Sequence, residues 1–571
     1  MITMNEQKAQ ERIHQAVTDS LSWLDELPSQ EAEILKRTNK EACPLITVYH
    51  GKNHTVTEPA YTPARTGMPV SRFRPILAMS AVIVLIAGLW MIRHNANIST
   101  PLDTVTQPLS SQVTPGSSDT VPLPAAVSTE NGNESQTGPL DRIDLYVEPD
   151  LLWNNDTGIL AEGDQAEKKP GQLPFKNTVY RKMQESGAFV DGELVYQSEE
   201  GAVLFRDRIT LQLDDETFSI DMPQKSFLIN AADGSFDYPL FDDRTTSSYP
   251  SILLRNSGND SMWTRVQDGV QHRLIERDTD AHLLTQAWRP VQVYLNNEYW
   301  GMYNMREPID AHTICRYEQI PDEMAEDVTI LPVGGSYATQ GSSTSYKEML
   351  KRIKNSKPAE NAEDLEYLEQ EIDIDSFLDW LTVEMYFGNS DIGNGKIYRI
   401  PGGKWKCLIE DLDYALYNSA FNSVQSYLKP AGMGERQLDN TIFLKILEVD
   451  KYRELFFTKL GILFHSLTSE VMFKELDACI AWIEPGMKAH IDRWAPYYDK
   501  NILAEVPTDP EQAWTYWQKR VFRLRNVMHK RPTLLYGFIQ DYFGMSDEEM
   551  AVYFPTDIPS TVTDLSYPSF N

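Results

Sequence analysis

Between Gly388 and Tyr417 the chain reads GNSDIGNGKIYRIPGGKWKCLIEDLDYALY. Oxygen donors bracket an apolar, alternating stretch. Asp391 and Asn394 precede it, and Asp411 and Asp413 follow it. The stretch is predicted to be a β-hairpin. Lys396–Ile400 supplies one strand, Pro401-Gly402-Gly403 the turn, and Trp405, Cys407 and Ile409 alternate along the other. Paired antiparallel strands hold opposite residues within ~5 Å of one another. The loop entering the hairpin is therefore expected to face the loop leaving it, so that up to three carboxylates and an amide oxygen share one mouth. Such a donor set suits Mg²⁺, which takes one or two carboxylates and fills its shell with phosphates. A solvated acidic hairpin is the plainer alternative.

An Asp and an Asn on one loop, then a hairpin, then a further Asp is also the order of parts in protein-kinase sites. There the first Asp orients the acceptor hydroxyl, and the Asn and second Asp hold metal.

What must position this mouth is a large acidic body. The chain has 571 residues, is 41% hydrophobic and 11% aromatic, and carries a net charge of −31. That apolar content excludes wholesale disorder. The negative charge argues against a nucleic-acid partner, which needs a basic surface. Four cysteines exclude a disulfide scaffold, and no CxxC, HExxH, GxSxG or P-loop pattern occurs. The charge is uneven. Residues 1–74 hold nine basic and nine acidic side chains, so the rest carries the whole excess.

Pro75–Ile92 (PILAMSAVIVLIAGLWMI) has no charged residue and, at 1.5 Å per residue, spans about 27 Å as a helix, enough for a bilayer core. Arg65, Arg72 and Arg74 precede it, and after Arg93 the next basic residue is Arg142. This bias predicts an N-terminus in the cytoplasm and a C-terminal body outside it. The expected organisation is a cytoplasmic segment 1–74, a transmembrane helix 75–92, a Ser/Thr/Pro-rich stalk 93–139, a folded domain 140–545 and a tail 546–571. In the domain, strand patterns come first: Ile143–Val147, Glu193–Tyr196, Ile209–Leu213, Ser226–Ile229, and Val291–Leu295 turning at Asn296-Asn297 into Tyr299–Met305. From about Ala359 helices dominate, with Phe377, Leu381 and Met385 on one face. Strands first and helices later predict an α+β body in two lobes.

Five blocks, in order, resemble the CotH kinase family. They are Pro223-Gln224-Lys225-Ser226-Phe227 with Phe236-Asp237-Tyr238-Pro239-Leu240-Phe241; Leu254-Arg255-Asn256-Ser257-Gly258-Asn259-Asp260; Tyr294 through Trp300-Gly301 to Arg306-Glu307; Gly388 through Asn394; and Gly403-Lys404-Trp405 with Asp411-Leu412-Asp413. The resemblance spans roughly 140–545, including a helical part around Arg493-Trp494 and Arg531-Pro532. It implies an atypical protein-kinase-like fold, with a strand-rich N-terminal part and a helical C-terminal part, that binds ATP with Mg²⁺ and phosphorylates Ser or Thr of a protein, of the spore coat or cell surface for instance. By the same resemblance Asp391 is the catalytic Asp, and Asn394 with Asp411 or Asp413 holds metal. Lys225 and Arg255 are nucleotide-phosphate ligands, with Glu307 pairing Lys225. Plainer roles stand beside these: a strand lysine for Lys225, a helix cap for Glu307, core for Trp300 and Tyr303, and local Asx turns for Asn256, Asn259 and Asp260. One departure counts against catalysis. Arg208–Thr217 (RITLQLDDET) lacks the glycines that would bring backbone N–H groups to phosphates. A degenerate kinase fold serving as a surface module is the rival reading.

Overall fold

In β1 (Arg142–Val147), Ile143, Leu145 and Val147 are buried at every second position. Six more barrel strands follow, β2 (Phe189–Gln197), β3 (Val203–Leu213), β4 (Phe227–Ala231), β5 (Ser251–Arg255), β6 (Trp288–Leu295) and β7 (Glu298–Arg306). Burial alternates along the end of β3, whereas β5 and most of β7 are buried on both faces. Successive side chains of a strand point to opposite faces, so each strand has one inward face, and here the inward faces meet one another. The seven strands close into a barrel in the order β1-β6-β7-β5-β4-β3-β2. Only the β1–β6 pair is parallel. Ile143, Leu194, Leu211, Ile229, Leu254 and Val293 are among the residues that fill its interior. These are coordinates of a computed structural model that describes residues 140–567, except 170–171, 215–218 and 499–505. Segments 1–74, 75–92 and 93–139 lie outside the described residues. Among the described residues no helix is long and apolar enough to cross a membrane.

The β6–β7 turn is the expected Asn296-Asn297, with φ of 51° and 68°. Two successive left-handed residues make the tight turn whose twist suits a hairpin, and asparagine tolerates them. The stretch without phosphate-binding glycines forms barrel wall: residues 208–213 belong to β3, paired on both sides.

The chain leaves the barrel wall between β1 and β2, for two short helices and a small strand pair, between β4 and β5, for a second small strand pair, and between β5 and β6, for helix α1 (Gln267–Asp278), and leaves it for good after β7. A small antiparallel sheet follows, of β8 (Thr329–Pro332), β9 (Lys396–Arg399) and β10 (Lys406–Leu408), in that order. The rest is helical: α2 (Ile374–Phe387), α3 (Asp450–Ser466), α4 (Ser469–Trp494) and α5 (Pro510–Phe543), with shorter helices between. The protein is therefore α+β, with a strand-rich N-terminal part and a helical C-terminal part.

Helix α2 is the centre of the helical core. Every residue but Asp375 is buried, and Phe377, Leu381 and Met385 pack among the side chains of α3, α4 and α5. The two parts are joined through β7. Trp494 Nε1 donates to the Trp300 carbonyl at 2.7 Å, and the Met302 N–H donates to His490 Nδ1 at 3.2 Å. Trp300 and Tyr303 are core, as their apolar setting predicts.

Candidate functional site

The site begins where α2 ends. Gly388 closes the helix in the left-handed conformation, φ 66°. A Cβ there would lie 2.7 Å from Cζ of Arg531. Only glycine meets both demands. Arg531 is fully buried on α5. Its Nε donates to the Tyr386 carbonyl at 2.8 Å and its Nη2 to that of Met385 at 2.7 Å. A cation on the carbonyl end of α2 is the favourable polarity, and it fixes where the next loop starts.

That loop is pinned in turn. Asn389 Oδ1 accepts the Asp391 N–H at 3.0 Å, and a short 3₁₀ turn, Ile392–Asn394, carries the chain into β9. The hairpin β9–β10 forms in the expected register, with Ile397 opposite Cys407. Across its mouth Asn394 Nδ2 donates to Asp411 Oδ2 at 2.6 Å. The two flanking loops are thus held face to face, as strand pairing requires. Asp391 is half-buried and pairs with Arg436 at 3.2 Å. It opens into a cleft of ≈ 350 Å³, lined also by Ile392, Gly393, Tyr414, Met433 and Arg436.

Arg255, at the end of β5, reaches into the mouth from the barrel. Its Nη2 lies 2.8 Å from Asp411 Oδ1 and 3.8 Å from Asp413 Oδ2, and its Nη1 lies 4.0 Å from Asp268 Oδ2. The Leu254–Asp260 block makes this approach possible. Gly258 has φ 57°, and a Cβ there would lie 2.6 Å from Arg255 Nη2 and 2.8 Å from Asp413 Oδ2. Asn256 forms the expected Asx turn, accepting the Gly258 N–H at 2.9 Å. Asn259 does more. Its backbone N–H donates to Asp413 Oδ2 at 2.8 Å and its Nδ2 to the same oxygen at 3.2 Å.

Asp411 and Asp413 therefore differ. Asp411 is partly exposed, has φ 55°, and offers its carboxylate to Asn394 and Arg255. Asp413 is 2% exposed. Burial, then the charge of Asp411, pushes its pKa well above the ordinary carboxylate value, and Arg255 and the Asn259 N–H offset only part of this.

Helix α1 lies beneath the loop that carries both. Gln267 Nε2 donates to the carbonyls of Asp413 and Ala415 at 2.8 and 2.6 Å, and Gln271 Nε2 to that of Leu412 at 2.8 Å. Asp268 Oδ1 accepts the Leu412 N–H at 2.8 Å, while its other oxygen binds Arg306 of β7. Burial alone would raise the Asp268 pKa. Arg306, His272 and Arg255 outweigh it and hold the carboxyl well below its usual range.

Two expected contacts are replaced by others. Glu307 does not pair with Lys225. It is held by Arg244 Nε at 3.0 Å and Arg316 Nη2 at 2.7 Å. Nor does it cap the next helix, Ala311–Tyr317, whose first turn is capped by Asp310 accepting the Thr313 N–H at 2.8 Å. Lys225 sits in the turn just before β4, not on a strand. It is buried, its Nζ donates to the Met222 carbonyl at 2.7 Å, and it lies 4.0 Å from the centroid of the Tyr180 ring.

Asp391, Asn394, Asp411, Asp413 and Arg255 are thus brought to one place, and Lys225 and Glu307 make other contacts. Asp268, Gln267, Gln271, Arg436 and Glu384 complete the surroundings and do not stand out by motif. Glu384 leaves a trace in the sequence, the one charged residue in the largely apolar stretch Leu381–Phe387. Gln267, Asp268 and Gln271 share one helix face directly after the Leu254–Asp260 block.

A family model described as CotH kinase protein matches residues 217–535, more than half of the chain. A search of curated proteins finds no match.

Proposed function

The chain belongs to the CotH kinase protein family, and from that premise we propose that its body, residues 140–545, is an atypical two-lobed protein kinase. It transfers the γ-phosphoryl group of ATP to a Ser or Thr hydroxyl of a protein substrate, at a cell or spore surface. The observation that carries this reading is the Asn394–Asp411 contact at 2.6 Å across the hairpin mouth, with Asp391 on the same loop opening into the cleft.

The donors fit a hard divalent cation. They are carboxylate and amide oxygens, which suit Mg²⁺. Asn394 and Asp411 are the residues that would hold it. Asp413, buried and bonded to Asn259, supports the loop. Among the described residues no three acid, imidazole or thiol groups converge closely enough to hold a metal by themselves. That is the arrangement expected when phosphates supply much of the shell. Bound there, Mg²⁺ neutralises phosphate charge as it develops.

The chain's own groups then have distinct tasks. Asp391 accepts the proton of the attacking hydroxyl and aims its oxygen. Arg255 lies close enough to exchange its Asp411 contact for a phosphate oxygen, a geometry guanidinium suits. With β3 devoid of glycines, backbone N–H contacts to the phosphates are few, and nucleotide binding leans on Arg255 and the cation. The body is proposed to face outward on the stalk 93–139, anchored by the helix 75–92, with residues 1–74 in the cytoplasm. No oligomeric state is implied.

Calorimetry of ATP–Mg²⁺ binding to the full-length chain, with phosphate incorporation into an acceptor-rich extract, tests the reading. Binding and labelling are expected, weak binding included. Neither binding nor labelling would falsify the enzyme and leave a non-catalytic surface module, the outcome the glycine-free β3 favours.

A further inference from the structure

Glu384 lies on the last turn of α2, 0% exposed, as the one charged residue of the buried run Leu381–Phe387. Neither of its carboxylate oxygens makes a hydrogen bond of ordinary length among the described residues; the Asn389 amide acts on it as a donor, and no cation stands among the groups that act on it. An ionised carboxylate buried in this way costs several kcal/mol unless something compensates it.

The groups around it make the omission pointed. The Tyr427 hydroxyl ties its main-chain carbonyl to that of Asn389, whose side chain in turn accepts the Asp391 N–H, and the charges of Asp411 and Asp391 act on its carboxyl. The donors that could have satisfied it are turned elsewhere. The Tyr427 hydroxyl donates to the main-chain carbonyls of Asn389 and Glu384. Arg531 spends its donors on the carbonyls of Met385, Tyr386, Ser419 and Phe421 and on the Ser423 hydroxyl. The side chain cannot swing to solvent. Its helix is buried, and its own carbonyl accepts the Gly388 and Asn389 N–H groups at 2.8 and 3.2 Å. The motif that contributes Asp391 thus grows from a helix end holding a buried acid on which no protein cation acts.

We infer that Glu384 is a positioning residue for a divalent cation at the hairpin mouth, a buried carboxyl that would act as counter-charge to the cation's water shell. It is not a third direct ligand, since the acids do not converge as a cage. A small divalent cation keeps several waters when bound through few carboxylates, and those waters would supply donors to Glu384. Its carboxyl also faces the Asn389 amide, which holds the Asp391 N–H, so the cation and Asp391 are steadied by the same acid. This inference rests on reading the mouth as a divalent-cation site.

The test is Mn²⁺ binding to the full-length chain, read from the loss of the free-ion electron paramagnetic resonance signal, with and without a non-hydrolysable ATP analogue. Outer-layer partners of a metal are worth about 10–100-fold in affinity. Glu384→Gln keeps shape and hydrogen-bonding capacity. It is expected to bind Mn²⁺ at least tenfold more weakly while melting at or above the wild-type temperature. Glu384→Asp, with the charge withdrawn by one methylene, is expected to fall between. If both variants bind Mn²⁺ as tightly as wild type, Glu384 is only a structural acid and the inference fails. Wild type that binds Mn²⁺ through Glu384 yet transfers no phosphate would sink the kinase reading alone. Wild type that takes up no Mn²⁺ in either condition overturns the role given to Glu384.

Discussion

Asp411 and Asp413 stand two positions apart and have opposite surroundings, which turns a repeated motif into two separable roles. Asp411→Asn is expected to weaken Mg²⁺-dependent ATP binding, because it removes the accessible anionic donor. Asp413→Asn should leave that binding within a few-fold and lower the melting temperature, because it disturbs the Asn259 and Arg255 contacts. Calorimetry and thermal melts of the two variants check this. Asp391→Asn should keep nucleotide affinity and lower phosphoryl transfer by ~10²-fold or more, the range associated with acid–base assistance. Glu384 adds a pH signature. Burial, then the charges of Asp411 and Asp391, raises its pKa from 4.5 to about 8, against a partial offset from Asn389. An acid with a raised folded-state pKa holds its proton more tightly when folded. Its environment therefore costs nothing at low pH, and stability is lost as pH rises from about 4.5 towards about 8. Glu384→Gln should abolish that part of the decline, visible as melting curves that converge near pH 5 and separate by pH 8. Curves that stay parallel would show that the carboxyl is ionised throughout.

At the level of elements, three supports meet under the mouth: the clamped end of α2, the hairpin β9–β10, and the face of α1 that holds Leu412 through Ala415. Asp268 is the central tie, joining α1, Arg306 of β7 and the Asp411–Asp413 loop. Asp268→Asn leaves buried Arg306 without its anion. A loss of about 3–5 kcal/mol is expected, the usual result of removing one partner of a buried pair, measured by denaturant unfolding. The hairpin was legible in the sequence because it is local: alternation and a Pro-Gly-Gly turn predict it, and pairing geometry then predicts the facing loops. The strands with clean alternation and the Asn296-Asn297 turn were legible for the same reason. Helix α1 was not, because its buried residues include Gln267, Asp268, Gln271 and His272, whose polarity hides an inward face. Strand β5 sits inside a block that draws the eye to its polar end. The partners of Glu307 and Lys225 were illegible because they depend on which strand neighbours which, a long-range matter.

For the whole molecule, composition foretold a large acidic body and the order of patterns along the chain an α+β fold with strands before helices, and neither foretold closure of the strands into a barrel. Closure depends on β1 meeting β6, and no local pattern records that. The predicted topology is open to direct test. Protease added outside intact cells should release the acidic body and spare residues 1–74, and a fully protected body would reverse the orientation. The thiols offer a second check. Cys315, Cys407 and Cys479 are free and buried, so a thiol reagent is expected to label none of these three until the chain unfolds.

Barrel closure has a consequence for how the chain is made. Arg142 pairs with Gln292 and Leu145 with Leu295, so the first strand waits for most of the barrel to be synthesised before its second neighbour exists. Until then β1 has an unpaired edge, and unpaired edges recruit other chains. Long-range pairing of this kind is also slow to form. Even a finished barrel lacks Trp494 and His490, which bind β7 from nearly two hundred residues downstream. A chain threaded across a membrane from its N-terminal end would present these edges first and their covers last. Nascent chains halted before β6 are expected to need a holding chaperone, and chains extended past α4 to be released from it, as a series of stalled lengths would report.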